Sequence, residues 1–304
     1  MKLSYDQIVD VSRIGSQGGK VDFNQMLNLV LKENIVPKKM DAVKRLLLCI
    51  DVQKDFMEGG PLAVPGSIGD VERITRFIHR NVYEITDIMC SMDTHYPFHI
   101  FFASWWKDAD GNNPAPYTTI TYNDVKNGKW RPLFGKIEDA LTYLQKLEEQ
   151  AKKTLCIWPK HCIRGTEGFE FENQFAKMVY YHTMVRKTVP YIIHKGTDLY
   201  SEMYGIIKPE YSKKNIKNTN VLKAFQEYDE IYFVGEASSH CLMESVRQVA
   251  EEYENCPEIT SKITILEDCT SPIVGFEEAT SDTFDMFKRK YGIKIAKSTD
   301  ISFN

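Results

Sequence analysis

The sequence has 304 residues, of which 43% are hydrophobic and 26% are charged, as is ordinary for a globular protein. This balance argues against a disordered or membrane-spanning chain. The formal net charge of -4 gives no electrostatic reason to bind phosphate backbones or anionic membranes, so we expect no nucleic-acid partner and no membrane association.

The N-terminal sequence and the cysteines predict an intracellular protein. The first 20 residues contain no long apolar run behind a basic segment, so neither a secretory signal nor a membrane anchor is expected. The seven cysteines are scattered without CxxC spacing, which is typical of reduced thiols. We therefore expect a cytoplasmic location.

The chain begins with two helix-like pieces in residues 1–44, which we interpret as a packed N-terminal helical extension. The main domain is expected to span residues 45–304. Its first elements are an apolar strand over Leu46–Ile50, a helical pattern over Ile68–Ile85 and a second strand over Ile88–Met92.

The next part of the chain interrupts this pattern. Residues 107–131 are rich in Asn, Asp, Gly, Pro and Lys, and a charged helical pattern follows over Lys136–Lys152. We interpret residues 107–155 as an insertion in the main domain or a lid.

The last predicted elements form a βαβ unit. Strands over Glu230–Val234 and Lys262–Leu266 flank a helical pattern over Leu242–Tyr253. The sequence therefore predicts an α/β fold built on a parallel sheet. Because ligands of such sheets gather at the carboxyl ends of the strands, we expect the residues that follow the strands to converge there.

Two residues that follow strands are candidates for catalysis. Asp51 can act as a base, although an Asp that caps a helix or forms a turn is the commoner alternative. Cys241 opens a helix after a strand and a turn of small residues. A helix N-terminus lowers the pKa of a thiol and offers N–H groups to an oxyanion, so a nucleophile and a buried packing cysteine are equal alternatives for Cys241.

Further polar residues lie at other strand ends. Lys195 follows the apolar run VPYII and can face a cleft, although a solvated surface lysine is more frequent. Asp93 and His95 are two residues apart, with His99 nearby and His161 far along the chain. One carboxylate with imidazoles suits zinc, iron or manganese, whereas a short DxH match also arises by chance.

Taken together and in this order, these segments resemble the isochorismatase-like cysteine hydrolase superfamily and, within it, the nicotinamidases. The resemblance extends over about residues 45–274 and rests on ordered motifs at Asp51–Phe56, Asp93–His95, Trp158–Cys162 followed by Gly165–Gly168, Lys195–Gly196 and Gly235–Cys241. It implies a three-layer αβα fold with a mainly parallel, six-stranded sheet. The segment APYTTITY at residues 115–122 also resembles nicotinamidases and favours that branch over relatives that lack a metal site.

The resemblance implies roles for the residues that match its catalytic motifs. Asp51, Lys195 and Cys241 correspond to the catalytic triad, and the backbone N–H groups of Ala237 and Cys241 correspond to the oxyanion hole. A cis peptide is expected between Glu236 and Ala237. Glu236 replaces the apolar residue usual at this position, so we expect a charge near the oxyanion hole that repels anionic substrates.

The resemblance also implies a metal site and a pocket for an aromatic ring. The expected ligands of one divalent metal, zinc or alternatively iron or manganese, are Asp93, His95 and His161, with His99 as a candidate fourth ligand. The residues expected to bind substrate are Phe56, Trp158, Tyr200 and His240.

The activity implied is hydrolysis of nicotinamide to nicotinic acid and ammonia through a cysteine thioester, as part of NAD salvage, in a homo-oligomer by family analogy. One alternative is a related cysteine amidohydrolase that acts on another small carboxamide or ureido compound. A catalytically silent scaffold is the other, and it is disfavoured because a scaffold has no need for Asp51, Lys195 and Cys241 together.

Overall fold

The computed structural model of the protein describes residues 3–16, 22–151 and 153–303, which fold around a six-stranded parallel sheet. The strands, in chain order, are β1 (Arg45–Ile50), β2 (Asp87–Asp93), β3 (Trp106–Lys107), β4 (Thr119–Ile120), β5 (Arg131–Pro132), β6 (Leu155–Cys156), β7 (Tyr191–Lys195), β8 (Glu230–Gly235), β9 (Ile263–Leu266) and β10 (Lys294–Ala296). The sheet has the order β10-β9-β8-β1-β2-β7, and every neighbouring pair is parallel.

Helices cover both faces of this sheet. They are α1 (Phe23–Val30), α2 (Ser67–Arg80), α3 (Tyr122–Lys126), α4 (Ile137–Lys146), α5 (Asn173–Arg186), α6 (Thr219–Glu227), α7 (Cys241–Glu252), α8 (Pro257–Thr260) and α9 (Glu277–Tyr291). Leu47 and Cys49 of β1 face a core shared with α2 and α5, whereas Leu46 and Leu48 face a core shared with α6, α7 and α9. Alternation of side chains along a strand produces these two cores. The predicted three-layer αβα fold is confirmed.

The predicted strands of the sheet and the predicted helices that cover it are present, with small shifts at their ends. The predicted helix over Ile68–Ile85 is shorter in the structure, since α2 stops at Arg80, where the Asn81 side chain donates a hydrogen bond to the Phe77 carbonyl. The charged helix continues past α4 as a π-helical turn over Leu147–Ala151, and its predicted last residue lies outside the described residues.

Residues 107–155 share a small core with residues 100–106 and 157 on either side of them. The antiparallel pairs β3–β5 and β4–β6 and the helices α3 and α4 enclose a buried cluster that includes Trp105, Trp106, Tyr143 and Leu144. Such packing is that of a small subdomain beside the sheet rather than of an open lid. The exact limits of the insertion stay a prediction.

The described part of residues 1–44 packs against α2 and α5. The Tyr5 hydroxyl lies 2.8 Å from that of Thr75 in α2, and the Tyr181 hydroxyl in α5 donates to Glu33 at 2.6 Å. Most of the SQGGK segment, taken as a break between helical pieces, lies outside the described residues. No helix among the described residues is both long and apolar enough to span a membrane.

Candidate active site

The first motif places polar side chains under the carboxyl ends of β1 and β2. Asp51 follows β1 with a φ of 47° and is fully buried, and its Oδ1 accepts a hydrogen bond from Ser91 Oγ at 2.6 Å. Gln53 accepts from the Asp93 N–H at 2.8 Å and donates to the Asp93 carbonyl at 2.9 Å. Asp55 accepts from the N–H of Cys162 at 2.7 Å. The motif thus fixes the backbone of two other motifs of the site.

Lys195, the last residue of β7, lies between two buried carboxylates. Its Nζ is 2.8 Å from Asp51 Oδ2 and 2.5 Å from Asp93 Oδ1. Burial opposes its charge, but the two carboxylates raise the pKa of Lys195 well above its usual range. The side chain is therefore a fixed cation at the centre of the site.

Cys241, the first residue of α7, completes this group. Its Sγ lies 3.5 Å from Lys195 Nζ, and the residue is only 7% exposed. Burial raises the pKa of the Cys241 thiol well above its usual value, and Lys195 offsets this only in part. Burial also raises the pKa of Asp51, to about 6, with Lys195 lowering it and Asp93 raising it. Near neutral pH these shifts favour a neutral thiol beside an ionised carboxylate, and burial thus outweighs the lowering of the thiol pKa expected at a helix N-terminus.

The turn from β8 to α7 brings two free N–H groups to the thiol. The peptide between Glu236 and Ala237 is cis, as the resemblance implied. Gly235 has a φ of +104°, and a Cβ there would lie 2.1 Å from the Ile50 carbonyl oxygen, so the turn requires glycine. In the described part of the chain neither the Ala237 nor the Cys241 N–H donates to a backbone carbonyl, which leaves both able to bind an oxyanion.

Glu236 does not place a charge at this turn, which corrects the expectation from the sequence. Its side chain is buried on the side of α2, where its carboxyl faces that of Asp70. Burial and the neighbouring Asp70 raise the pKa of Glu236 well above its usual value, which favours the neutral carboxyl. Its repulsion of anionic substrates is therefore not expected.

Asp93, His95 and His161 form a set that fits a divalent metal. Their ligand atoms lie within 4.8 Å of one another, and all three residues are buried. The Nδ1 of His95 lies 3.1 Å from the Gly196 carbonyl, and that of His161 lies 2.8 Å from the Pro159 carbonyl. Since a carbonyl can only accept, each Nδ1 carries the proton and each Nε2 keeps its lone pair toward Asp93 Oδ2.

Gly196 is required by this arrangement. Its φ is +71°, and a Cβ there would lie 2.5 Å from Cε1 of His95. Glycine after Lys195 therefore lets the His95 imidazole pack against the end of β7.

His99 stands apart from this set. It is fully buried with its ring centroid 5.1 Å from that of His95, but its nitrogens lie outside the group of ligand atoms formed by the other three residues. Burial lowers the pKa of His99 to about 3, so the imidazole is neutral.

A cleft of about 520 Å³, including its open mouth, joins the thiol to Asp93, His95 and His161. The walls are mainly apolar and aromatic, as is usual for sites that bind small molecules. The lining residues include Phe56, Phe101, Trp158, Met203, Tyr204, His240 and Ile273 beside Asp93, His95, His161, Ala237 and Cys241.

Tyr200 is placed elsewhere than predicted. It is 39% exposed, packs edge-on against Trp105, which lies just before the insertion, and does not line the cleft. Tyr204, four residues further along the chain, lies in the wall of the cleft instead.

Glu202, a buried carboxylate in the same wall, was not among the site residues predicted from the sequence. In the sequence, Glu202 is visible only as the acidic residue of SEMYG. Neighbouring residues of that segment line the aromatic cleft. An unexplained acid next to such a segment is a sign of a buried hydrogen-bond acceptor.

Comparison with known proteins agrees with this geometry. No family model matches the chain. A nicotinamidase of Escherichia coli strain K12 is 24% identical over 199 residues, which are 65% of this chain and 72% of that protein. The resemblance to nicotinamidases predicted from the motifs is thereby confirmed at modest identity, and the relative is a hydrolase.

Solved structures share the fold. The yeast nicotinamidase bound to the inhibitor nicotinaldehyde matches with a TM-score of 0.58 at 22% identity, over 83% of this chain and 99% of that chain. A pyrazinamidase of Pyrococcus horikoshii in complex with zinc matches with a TM-score of 0.50 at 19% identity, over 84% of this chain and 99% of that chain. At these identities the likeness shows the αβα fold.

Proposed function

We propose that the protein is a cysteine amidohydrolase that converts nicotinamide to nicotinic acid and ammonia, an activity that belongs to NAD salvage. The observation that carries the proposal is the contact of Lys195 Nζ with Cys241 Sγ, Asp51 and Asp93 at the base of an aromatic cleft. The nicotinamidase from E. coli supports the same substrate class.

In the first half of the proposed reaction, the Cys241 sulfur attacks the amide carbon while Asp51 accepts the thiol proton. The new C–S bond pushes the carbonyl electron pair onto oxygen, where the N–H groups of Ala237 and Cys241 stabilise the negative charge. Asp51 then returns its proton to the amide nitrogen, the C–N bond breaks and ammonia leaves. A thioester on Cys241 remains.

In the second half, water attacks the thioester and gives its proton to Asp51. The C–S bond breaks, nicotinic acid is released, and Asp51 returns the proton to the sulfur. The pKa of Asp51, about 6, suits both steps, because the group is ionised at neutral pH and still basic enough to carry a proton. Lys195 keeps its charge throughout and stabilises each anionic form of its neighbours.

The ring of the substrate would lie between the aromatic walls. Asp93, His95 and His161 would hold a divalent ion, zinc or alternatively iron or manganese, which when bound supplies a Lewis acid for the ring nitrogen. Phe56 and Trp158 offer flat apolar surfaces to the ring.

Ammonia release from metal-replete protein tests the proposal, with nicotinamide, pyrazinamide and benzamide as substrates. Nicotinamide and pyrazinamide should be hydrolysed and benzamide, which lacks the ring nitrogen, should be poor. The Cys241→Ala variant should lose turnover, whereas the partly exposed Cys256, which lies in a loop away from the cleft, can be replaced by Ala as a matched control without loss. Turnover of nicotinamide by Cys241→Ala would overturn the mechanism.

Metal analysis tests the second part of the site. His161→Ala should lower the bound metal and raise the KM for nicotinamide, whereas His194→Ala, a histidine of β7 outside the metal-binding set, should change neither. Equal metal content in both variants would contradict the assignment.

A further inference from the structure

The wall of the cleft contains a buried carboxylate that the proposed reaction does not use. Glu202 is 3% exposed, and its Oε1 accepts two hydrogen bonds, one from Trp158 Nε1 at 2.8 Å and one from the Tyr204 hydroxyl at 2.6 Å. Both donors belong to rings that line the cleft. One carboxylate oxygen therefore fixes the orientation of two aromatic walls.

Glu202 is in turn held by the insertion. The Glu202 N–H donates to the Tyr143 hydroxyl oxygen at 3.2 Å, and the same hydroxyl lies 3.5 Å from Glu202 Oε2. Tyr143 belongs to α4 and is 2% exposed, inside the apolar cluster of residues 107–155. Its position is thus set by the core of the insertion rather than by the sheet.

A second residue of the insertion approaches the same wall. The Lys153 ammonium lies 5.0 Å from the centroid of the Tyr204 ring and contacts Glu210 at 2.6 Å and Glu244, in the helix that begins at Cys241, at 3.0 Å. Tyr204 is therefore held on one edge by Glu202 and on its face by a cation.

The surroundings of Glu202 shift its pKa in both directions. Burial raises its pKa to about 7, the hydrogen bonds from Tyr204 and Trp158 and the charge of Lys153 lower it, and Glu210 raises it. Tyr143 and Cys156 are the other titratable groups that face it, and burial raises the pKa of both.

We propose that Glu202 is a positioning residue for ring recognition: it locks Trp158 and Tyr204 at the spacing that admits a flat heteroaromatic ring, and the insertion holds Glu202 through Tyr143. Glu202 makes no covalent contribution and does not touch the reacting thiol. The identity of the ring ligand rests on the proposed function, whereas the hydrogen-bonded wall does not.

The kinetic test compares Glu202→Gln with Glu202→Leu. The Gln side chain keeps an acceptor for Trp158 and Tyr204, so its KM for nicotinamide should stay within about twofold of the wild type. Leu removes the acceptor that both donors share and leaves Trp158 Nε1 only its 3.2 Å hydrogen bond to the Tyr204 hydroxyl oxygen, so KM should rise about tenfold or more while kcat falls much less. The rate at which iodoacetamide alkylates Cys241 should be the same in both variants. A Leu variant with unchanged KM, or a loss confined to kcat, would overturn the proposal.

Tryptophan fluorescence tests the wall without turnover. Titration of wild-type protein should give an emission change near pH 7 that reports Glu202 through Trp158, and this change should be absent from Glu202→Gln and from Trp158→Phe. The same transition in Glu202→Gln would contradict the proposal. If no amide is hydrolysed but this titration behaves as expected, the proposed substrate is wrong, whereas the hydrogen bonding of Glu202 to the aromatic wall is supported.

Tyr143→Phe tests the link to the insertion. Loss of the hydroxyl should raise KM by several-fold, less than in Glu202→Leu, because the bonds to Trp158 and Tyr204 remain. The control is the exposed Tyr117 of the same insertion: Tyr117→Phe keeps the edge-on contact of its ring with Trp158 and loses only a hydroxyl, so KM should be unchanged. Equal KM values for the two variants would remove the insertion from the proposal.

Discussion

Two groups of buried carboxylates flank the turn between β8 and α7, and they solve the problem of burial in opposite ways. On one side Asp51 and Asp93 share the buried ammonium of Lys195. On the other side Glu236 faces Asp70, whose cation is the partly exposed Arg73 at 2.7 Å. Burial penalises charge equally in both places, so the difference lies in the buried cation.

The difference shows in the pKa values. Lys195, together with the imidazoles, holds the pKa of Asp93 well below its usual range against the effect of burial, whereas burial and Asp70 raise that of Glu236. The group of Asp51, Asp93 and Lys195 therefore keeps its charges beside the Cys241 thiol. The group of Glu236 and Asp70 instead favours a protonated carboxyl on the other side of the turn.

Removal of the buried cation should have the largest effect. Lys195→Met leaves Asp51 and Asp93 as neighbouring buried acids, so we expect turnover to be abolished and the free energy of unfolding to fall by about 3–5 kcal/mol. Ammonia release and urea unfolding measure the two effects. A variant as stable as the wild type would show that Lys195 does not hold the charges.

Turnover of neutral amides should be the next measurement to distinguish the Asp51–Asp93 group from the Glu236–Asp70 group. Asp51→Asn removes the base and should lower kcat by about 10²–10⁴-fold, in the range usual for such groups. Glu236→Gln keeps a neutral side chain that can donate to Asp70, so kcat should stay within about twofold of the wild type at pH 7. Similar losses in both variants would mean that Glu236 is charged in the native protein.

The pH dependence of stability sharpens the same contrast. Because the pKa of Glu236 is raised in the folded protein, unfolding releases its proton at any pH between its usual value and the raised one. The contribution of Glu236 to stability is therefore greatest at low pH and falls as pH rises, by up to about 1.4 kcal/mol per pH unit for one proton.

Glu236→Gln removes this proton, so its thermal midpoint should match that of the wild type near pH 5 and exceed it increasingly toward pH 8. Asp70→Asn is the matched variant at the partner carboxyl. A constant difference between wild type and Glu236→Gln across this range would count against a raised pKa of Glu236 in the folded protein.

The smallest effect is expected for a solvated pair. Lys290 and Glu254 lie 2.8 Å apart with about half of each side chain exposed. Glu254→Gln should change the free energy of unfolding by less than about 1 kcal/mol, since water and salt screen exposed charges. A loss comparable to that of Lys195→Met would show that burial is not the deciding variable.

Sequence patterns predicted the sheet and the meeting of its strand ends because both depend on local order. Apolar runs define β1 and β8, and parallel strands bring the residues that follow them to one edge. Asp51, Lys195 and Cys241 are brought together for this reason, although 190 positions separate the first from the last.

Other features depend on contacts that no local pattern encodes. The helix α5 has buried residues all round, including Gln174, His182 and Arg186, because the N-terminal extension covers the face that would otherwise be solvated. It therefore shows no apolar stripe. Glu202 escaped notice for a similar reason, since its partners Tyr143 and Trp158 come from distant segments.

The position of Phe303 provides a site for labelling or immobilising the protein. The Arg45 guanidinium lies 4.3 Å from the centroid of the Phe303 ring, at the start of the strand that ends beside Asp51. Six residues of parallel strand span about 20 Å. A dye or a surface linker attached beside Phe303 therefore lies at the opposite edge of the sheet from the cleft. In molecules immobilised through such a linker, the open end of the cleft would face the solution.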